Sequence, residues 1–165
     1  MSSNNYSIRS HQPGDAGWVI HRHGIWYFNE HDFDPKFEGL VAGIMAQFIE
    51  QENVRENLWI GSVEDKNVGS IMITQMSDTV AQLRLFFVES ETRGMGLGSA
   101  LLNECIQFCE VNEYHKITLW TQDFSKGARH LYAKAGFNIV TKQNDTFFGQ
   151  PLIIENWELC LGQKK

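Results

Sequence analysis

Hydrophobic residues in the first third of the chain recur at intervals of three and four, which is the period of an amphipathic helix. Pro13 followed by Asp15 is typical of a helix start, because proline suits the first turn and an acid favours the helix N-terminus. This helix is expected to break or turn between Gly24 and Asp34. A second helix is predicted from about Pro35 to Gln51. Its apolar stripe consists of Phe37, Leu40, Val41, Ile44, Met45, Phe48 and Ile49.

The period then changes to two, which indicates extended chain. Strands are predicted over residues 58–63, 69–73 and 81–88. The turn-like run 64–67 and the pair Ser77 and Asp78 separate them. Three consecutive strands joined by short turns favour an antiparallel meander.

Beyond Val88 the pattern alternates between helix and strand. A helix over residues 97–109, a strand over 117–121 and a short helix over 128–135 are predicted, with Gly136 as the C-terminal glycine. Two further strands are expected over residues 137–141 and 152–159. With a short strand ahead of the first helix, this order predicts a mixed-sheet α/β fold, in a single domain over residues 1–165.

Charge and cysteine content narrow the possible functions. Lys plus Arg number 14 against 20 Asp plus Glu, giving a net charge of -6. Without a basic stripe, nucleic-acid binding is not expected, since phosphate contacts supply most of that affinity. Three cysteines favour a reducing compartment over a disulfide framework. Cys105 and Cys109 are expected to be small buried helix residues rather than metal ligands, because no His or Cys cluster lies nearby in sequence.

The first ten residues are polar, and no apolar run of 18 residues occurs in the sequence. No signal core is visible either. The expectation is a cytoplasmic protein without membrane association.

The sharpest chemical feature is the glycine-rich run at residues 93–98, between a predicted strand and a predicted helix. Glycines free the backbone for a tight turn, and the following helix offers unpaired N–H groups, so the run predicts an anion cradle suited to a pyrophosphate. A P-loop would need Lys and Ser/Thr after the last glycine, whereas Gly98 is followed by Ser99 and Ala100. A dinucleotide fingerprint would need two residues between its last glycines, and here only Leu97 intervenes.

The run 93–98 resembles the Arg/Gln-x-x-Gly-x-Gly/Ala loop of the GNAT superfamily of N-acetyltransferases. Residues 128–137 resemble the second signature of that superfamily, which is alanine, then leucine-tyrosine, then glycine-phenylalanine. Residues 13–24 and 119–121 are similar to acetyltransferase domains fused behind MarR-type repressors, although no repressor half is expected ahead of Ser7. The resemblance implies a mostly antiparallel sheet of about six or seven strands, flanked by about four helices. A homodimer is possible.

The resemblance also implies roles for matching positions, with acetyl-CoA as the co-substrate and no metal. Backbone N–H groups of the loop would hold the pyrophosphate, and the end of the third meander strand would splay to pair with the pantetheine arm and polarise the thioester carbonyl. Ser125 stands where the superfamily often has asparagine, so it would either bind cofactor or begin a helix. The predicted cofactor-binding residues are Phe86, Phe87, Val88, Arg93, Gly94, Met95, Gly96, Leu97, Gly98, Ser99, Ser125 and Tyr132.

Catalysis is expected to require an acid for the leaving thiolate and an acceptor for the proton of the amine. By resemblance Tyr132 is the acid, since a phenol of pKa about 10 can donate to a thiolate whose conjugate acid lies near 8.5. No motif assigns the base, and Glu30 is taken as the predicted catalytic residue. The other candidates are Asp123, His21 and His23.

The acceptor site is expected between residues 26–34 and residues 144–150, because both segments mix aromatic and acidic side chains. This composition predicts an aromatic or apolar small-molecule amine, held by rings and oriented by a carboxylate. A protein N-acetyltransferase, and a non-catalytic acyl-CoA-binding module that partners a transcriptional regulator, are the two alternatives.

Overall fold

The chain folds around a single seven-stranded sheet in the computed structural model, which describes residues 5–162. The strands are β1 Ser7–Ser10, β2 Asn57–Val63, β3 Lys66–Gln75, β4 Val80–Val88, β5 Lys116–Gln122, β6 Asn138–Phe147 and β7 Gln150–Cys160. The helices are α1 Asp15–His31, α2 Pro35–Gln51, α3 Leu97–Val111 and α4 Lys126–Ala135, with a 3-10 turn at Ser90–Thr92. The strand order is β1-β2-β3-β4-β5-β7-β6. All neighbours are antiparallel except β4 and β5, which confirms the predicted mixed α/β fold.

Helix α2 has the predicted bounds because its start is specified locally. The Asp34 side chain accepts a hydrogen bond from the Lys36 N–H at 3.0 Å, and Pro35 occupies the first turn. The buried face consists of Phe37, Val41, Met45 and Phe48. Leu40 and Ile49, which the pattern included in this stripe, are exposed.

Helix α1 continues through Gly24 and ends within the predicted window of Gly24 to Asp34, so the expected turn is confirmed. The helix continues to His31 and ends where Asp32 adopts a left-handed conformation with φ 54°. Gly24 packs against Glu38 of α2, and a side chain at this position would clash with that carboxylate. The glycine therefore permits close packing of α1 on α2.

The sheet separates two hydrophobic cores. On β2, Leu58 and Ile60 pack under α1 and α2, whereas Trp59 packs under α3 and α4. Cys105 and Cys109 are buried in the second core as predicted, and burial raises the pKa of both thiols. Among residues 5–162, no helix is long and apolar enough to cross a membrane.

The last two strands form a longer hairpin than predicted. Strand β6 runs to Phe147, and a tight turn at Phe148 and Gly149, both with positive φ, leads into β7. Residues 144–150, expected as a loop, therefore lie mostly in paired strands. The sequence missed this because every residue of the edge strand β6 is exposed, so its pattern does not alternate.

A buried carboxylate ties this hairpin to α4. Glu155 of β7 is fully buried, and its oxygens accept hydrogen bonds from Arg129 Nε at 2.7 Å and Trp157 Nε1 at 3.2 Å. Lys142 Nζ of β6 lies 3.1 Å from Oε2. Burial acts to raise the pKa of Glu155, but the hydrogen bonds from Arg129, Lys142 and Trp157 outweigh it and lower the pKa below the ordinary 4.5.

We expect Glu155→Gln to lower the free energy of unfolding by about 3 kcal/mol at neutral pH, because it leaves two cations without their buried partner. A carboxylate with a lowered folded-state pKa stabilises the fold above its unfolded pKa, and this contribution is lost as the pH falls through the folded value. The stabilities of wild type and variant, measured by urea titration, should therefore converge only at a pH well below the ordinary pKa of 4.5. The control is Glu158→Gln, whose partly exposed pair with Lys116 should cost less than about 1 kcal/mol. Equal losses of unfolding free energy in Glu155→Gln and Glu158→Gln would contradict a stabilising role for the buried carboxylate.

Candidate active site

A cleft of about 580 Å³ opens where β4 leaves the sheet. The end of β4 and the glycine loop form one wall, the second half of α1 forms another, and the first turns of α4 close it. The predicted residues that line it are Phe86, Phe87, Val88, Arg93, Gly94, Gly96, Leu97, Gly98, Ser99 and Ser125. Sequence reasoning therefore located most of one wall.

The cleft exists because β4 and β5 diverge. They pair only at Val80, Ala81 and Gln82, after which β5 continues beside β7. The divergence coincides with a β-bulge at Leu85, which has φ 51° and whose carbonyl accepts a hydrogen bond from Ser70 Oγ at 2.8 Å. Residues 83–88 therefore lack a strand partner on the cleft side, which leaves main-chain polar groups available to a ligand.

The loop after β4 presents a row of unpaired amides. Gly94 and Gly96 have φ 83° and 85°, a conformation that L side chains rarely adopt. The first helical bond of α3 runs from the Ala100 N–H to the Gly96 carbonyl at 3.0 Å. Among the described residues, the N–H groups from Gly94 to Ser99 have no backbone acceptor, and no side chain caps α3. Six consecutive donors at a helix N-terminus fit a diphosphate.

Two neighbouring contacts hold this loop in place. A Cβ on Gly98 would lie 2.9 Å from Leu131 Cδ1, so glycine here allows α4 to approach α3. Arg93 Nε donates to the Val88 carbonyl at 3.3 Å, and its guanidinium carbon lies 5.7 Å from the centre of the Trp26 ring. The Met95 side chain is exposed and does not line the cleft, so only its backbone can serve the predicted role.

The charge of the cleft is opposite to that of the whole chain. Arg93, Lys126 and His130 line it, and none of its described lining residues is acidic. Cationic groups beside the amide row suit a phosphate-bearing ligand. Sequence reasoning missed Thr92, Phe124, Lys126, Gly127, Ala128, His130 and Leu131. Most of them adjoin Ser125 and the second signature, and this adjacency was the available signal.

A profile of the Acetyltransferase (GNAT) family matches residues 18–137 of the chain. The chain belongs to the GNAT family. Streptothricin acetyltransferase A of Bacillus subtilis (strain 168) is similar, with 30% identity over 70% of this chain and 67% of its own length. An uncharacterised N-acetyltransferase of Methanocaldococcus jannaschii is 28% identical over 68% of this chain, which spans only 44% of that protein.

Solved GNAT structures share the fold. One of them is the Salmonella typhimurium protein yncA, whose structure was determined with its cofactor acetyl-CoA. It superposes with a TM-score of 0.75 at 15% sequence identity, and the match covers 97% of this chain and 96% of the yncA chain. The match to the GNAT family, together with the similarity to streptothricin acetyltransferase A, confirms the expectation of an acetyl-CoA-dependent acetyltransferase. The unpaired amides and cationic groups of the cleft fit that co-substrate. These matches concern the superfamily and not its subgroup fused to MarR-type repressors.

Tyr132, the residue of the second GNAT signature, lies under the cleft rather than along it. Its ring packs against those of Phe86, Phe137 and Trp157 at centroid distances of 5.9, 5.7 and 6.0 Å. Its hydroxyl makes no hydrogen bond within residues 5–162, and the hydroxyl oxygen is not completely buried. Burial, reinforced by the neighbouring Tyr27, raises the pKa of Tyr132, so the phenol keeps its proton at neutral pH.

Ser125 lies at the N-cap position of α4, but its side chain makes no capping hydrogen bond. Instead it lines the cleft, where a hydrogen bond from Ser125 acts to lower the pKa of Tyr27. Burial is the stronger influence and raises the pKa of Tyr27 to about 12. Of the two roles predicted for Ser125, the side-chain geometry agrees with the one that faces the cofactor.

The predicted proton acceptors do not line the cleft. Glu30 and His21 are exposed, and Asp123 also lies outside the lining. His23 is buried, its Nδ1 donates to the Val19 carbonyl at 2.8 Å, and desolvation lowers its pKa to about 4. Two histidines do line the cleft, and sequence reasoning singled out neither as a base. They are His31, the last residue of α1, and His130 of α4.

The end of the cleft beyond the glycine loop is aromatic. Trp26, Tyr27, His31 and Phe124 line it, and the His31 and Phe124 rings stack with centroids 3.6 Å apart. Segment 26–34 therefore contributes as expected. Segment 144–150 does not, because Phe148 packs into the core under α2 instead. The expected orienting carboxylate is absent from the described lining of the cleft.

An ion pair fixes α1 against the end of β4. Arg22 Nη2 donates to Glu89 Oε2 at 3.0 Å, and Nε contacts the other carboxylate oxygen, so the pair is bidentate. This geometry adds directional specificity to the attraction. The aromatic end of α1 is thereby held beside the strand that leads into the glycine loop.

Proposed function

We propose that this GNAT enzyme transfers the acetyl group of acetyl-CoA to the primary amine of a small molecule with an apolar or aromatic body. The observation that carries the proposal is the row of unpaired amides opposite four aromatic side chains in one cleft. The amides would bind the diphosphate, and Phe86, Phe87 and Val88 would pair with the pantetheine arm. Rings would enclose the acceptor and favour planar or cationic groups.

The test is an acceptor panel with release of free thiol from acetyl-CoA as the readout. Aromatic and apolar primary amines should give the highest kcat/KM, and peptides with free N-termini or lysines should react poorly. Preference for peptides would favour the protein N-acetyltransferase alternative. Binding of coenzyme A with no thiol release from any amine would favour a non-catalytic module that partners a regulator, as in the MarR-fused domains.

For the acid we propose Tyr132, whose neutral phenol would protonate the leaving thiolate. Support comes from its unpaired hydroxyl and from its ring contact with Phe86 on the cleft wall. Since the pKa of Tyr132 is raised, the proton would be present throughout the neutral range.

For the proton acceptor we propose His31 in preference to Glu30. Burial lowers the pKa of His31 from 6.5, and the adjacent Glu30 opposes this only in part, so the imidazole would be neutral and able to accept a proton. Glu30 would act at most on the charge of His31, because its own side chain lies outside the cleft.

His31→Gln is expected to lower kcat about tenfold, less than the loss of a general base often costs, because water can enter an open cleft. Wild-type kcat/KM should fall at acidic pH with a midpoint below 6.5, since protonation removes the acceptor. The variant should lose that limb of the pH profile. Glu30→Gln is the matched control and should retain nearly full activity. If Glu30→Gln carried the loss instead, Glu30 would be the base.

A further inference from the structure

A second pocket, of about 290 Å³, lies between the C-terminal half of α2, strands β3 and β4, and Glu56 just before β2. It shares no lining residue with the acetyl-CoA cleft. Helix α2 contributes Gln47 and Gln51, and the strands and the segment before β2 contribute Glu56, Gln82 and Arg84. A pocket with so many polar side chains on the helix-covered face of a sheet needs partners for them.

Glu56 is the first group without a complete set of partners. It is 9% exposed, and its Oε1 accepts a hydrogen bond from the Gln75 N–H at 2.9 Å. Its Oε2 is fully buried and has no hydrogen-bond partner among residues 5–162. Because an unsatisfied buried carboxylate oxygen is costly, this atom calls for a donor inside the pocket.

Arg84 is the second such group. Its side chain is partly buried, and no residue in the described part of the chain forms a hydrogen bond or an ion pair with it. Burial lowers its pKa, and the carboxylate of Glu56 opposes that effect without touching the guanidinium. A guanidinium offers five donors in a planar fork that matches a carboxylate.

The end of α2 adds a third influence. The helix stops at Gln51, and its last turn contains no basic residue. The final carbonyls of a helix lack intrahelical partners and carry its negative end, so they attract a cation. Gln47 and Gln51 of the last part of α2 line the pocket, so the negative end of the helix lies near it.

We propose that this pocket binds a small zwitterion of the free α-amino acid class. Its carboxylate would pair with the Arg84 fork, and its ammonium group would donate to Glu56 Oε2. Ligand pockets commonly measure about 300–1,000 Å³, so this volume suits a metabolite smaller than a drug-sized molecule. The glutamine amides on either side offer further donors and acceptors.

The proposal is tested by isothermal titration of the whole chain with glycine, L-alanine and L-glutamine, in the presence of saturating coenzyme A. Methylamine and acetate, each carrying one of the two charges, are the matched half-ligands. We expect at least one amino acid to bind with one-to-one stoichiometry and neither half-ligand to bind measurably. Arg84→Gln and Glu56→Gln should each weaken binding about tenfold or more, which is the effect of losing a charge-assisted hydrogen bond.

The substitutions at Glu56 and Arg84 are chosen to preserve the fold. Glu56→Gln keeps an oxygen that can accept from the Gln75 N–H. If Arg84→Gln does not fold, Arg84→Lys takes its place. This variant keeps the charge but loses the planar fork, so it should bind the amino acid with an affinity between those of wild type and no binding. The exposed charges Lys134 and Glu64 provide control variants, Lys134→Gln and Glu64→Gln, that should bind as wild type does. Absence of heat with every amino acid would overturn the proposal and leave two separately solvated charges. Acetate binding as tightly as an amino acid, or binding unaffected by both Arg84 and Glu56 variants, would overturn it as well.

Discussion

Tyr132→Phe is expected to lower kcat by about 100- to 1,000-fold, while the affinity for coenzyme A stays at the wild-type value. Without the hydroxyl the thiolate must leave unprotonated, although the ring still packs against Phe86, Phe137 and Trp157. Steady-state release of free thiol measures the first quantity, and titration calorimetry with coenzyme A measures the second. A loss in kcat without a loss in affinity separates an acid from a residue that only supports the cleft.

Tyr27→Phe is the matched control, because Tyr27 is a partly buried tyrosine that also has a raised pKa and lines the same cleft. It should keep most of the wild-type kcat if Tyr132 is the acid. If the loss appeared in Tyr27→Phe and not in Tyr132→Phe, the roles would be exchanged. Full activity in both variants would exclude a tyrosine acid.

Gly96→Val is expected to weaken coenzyme A binding by about 100-fold or more. Gly96 has φ 85° immediately before α3, and a Cβ there meets no protein atom within 4 Å. The new side chain would therefore project into open space beside the amide row, where the diphosphate is expected. A β-branched residue at positive φ also costs about 1–3 kcal/mol and shifts the amides. Calorimetric titration with coenzyme A gives the affinity directly.

Gly14→Val separates strain from lost binding. Gly14 is the residue before α1, has φ 97°, meets nothing within 4 Å and lies outside the cleft. Gly14→Val should lose about as much stability in thermal unfolding as Gly96→Val does, and should bind coenzyme A with the wild-type affinity. If both variants bound coenzyme A like wild type, the amide row would not be the diphosphate site.

The sequence by itself determined the features that depend on neighbouring residues. The capping carboxylate of Asp34 with Pro35 defined the start of α2, and alternation defined the meander. Three spaced glycines before an apolar helix predicted the position of the loop with unpaired amides. Each of these signals acts within about one or two turns of chain, so composition and spacing are enough to read them.

Only the tertiary structure decided what depends on residues distant in sequence. The packing role of Gly24 becomes visible only when Glu38 of α2 is found against it, and β6 shows no pattern because its partner β7 alone defines it. The aromatic, cationic cleft in an acidic chain arises from where α1 and α4 meet the splayed β4. The same arrangement places His31, and not Glu30, in the lining of the cleft. Burial and pairing between separate elements set these properties, and a linear pattern carries no record of them.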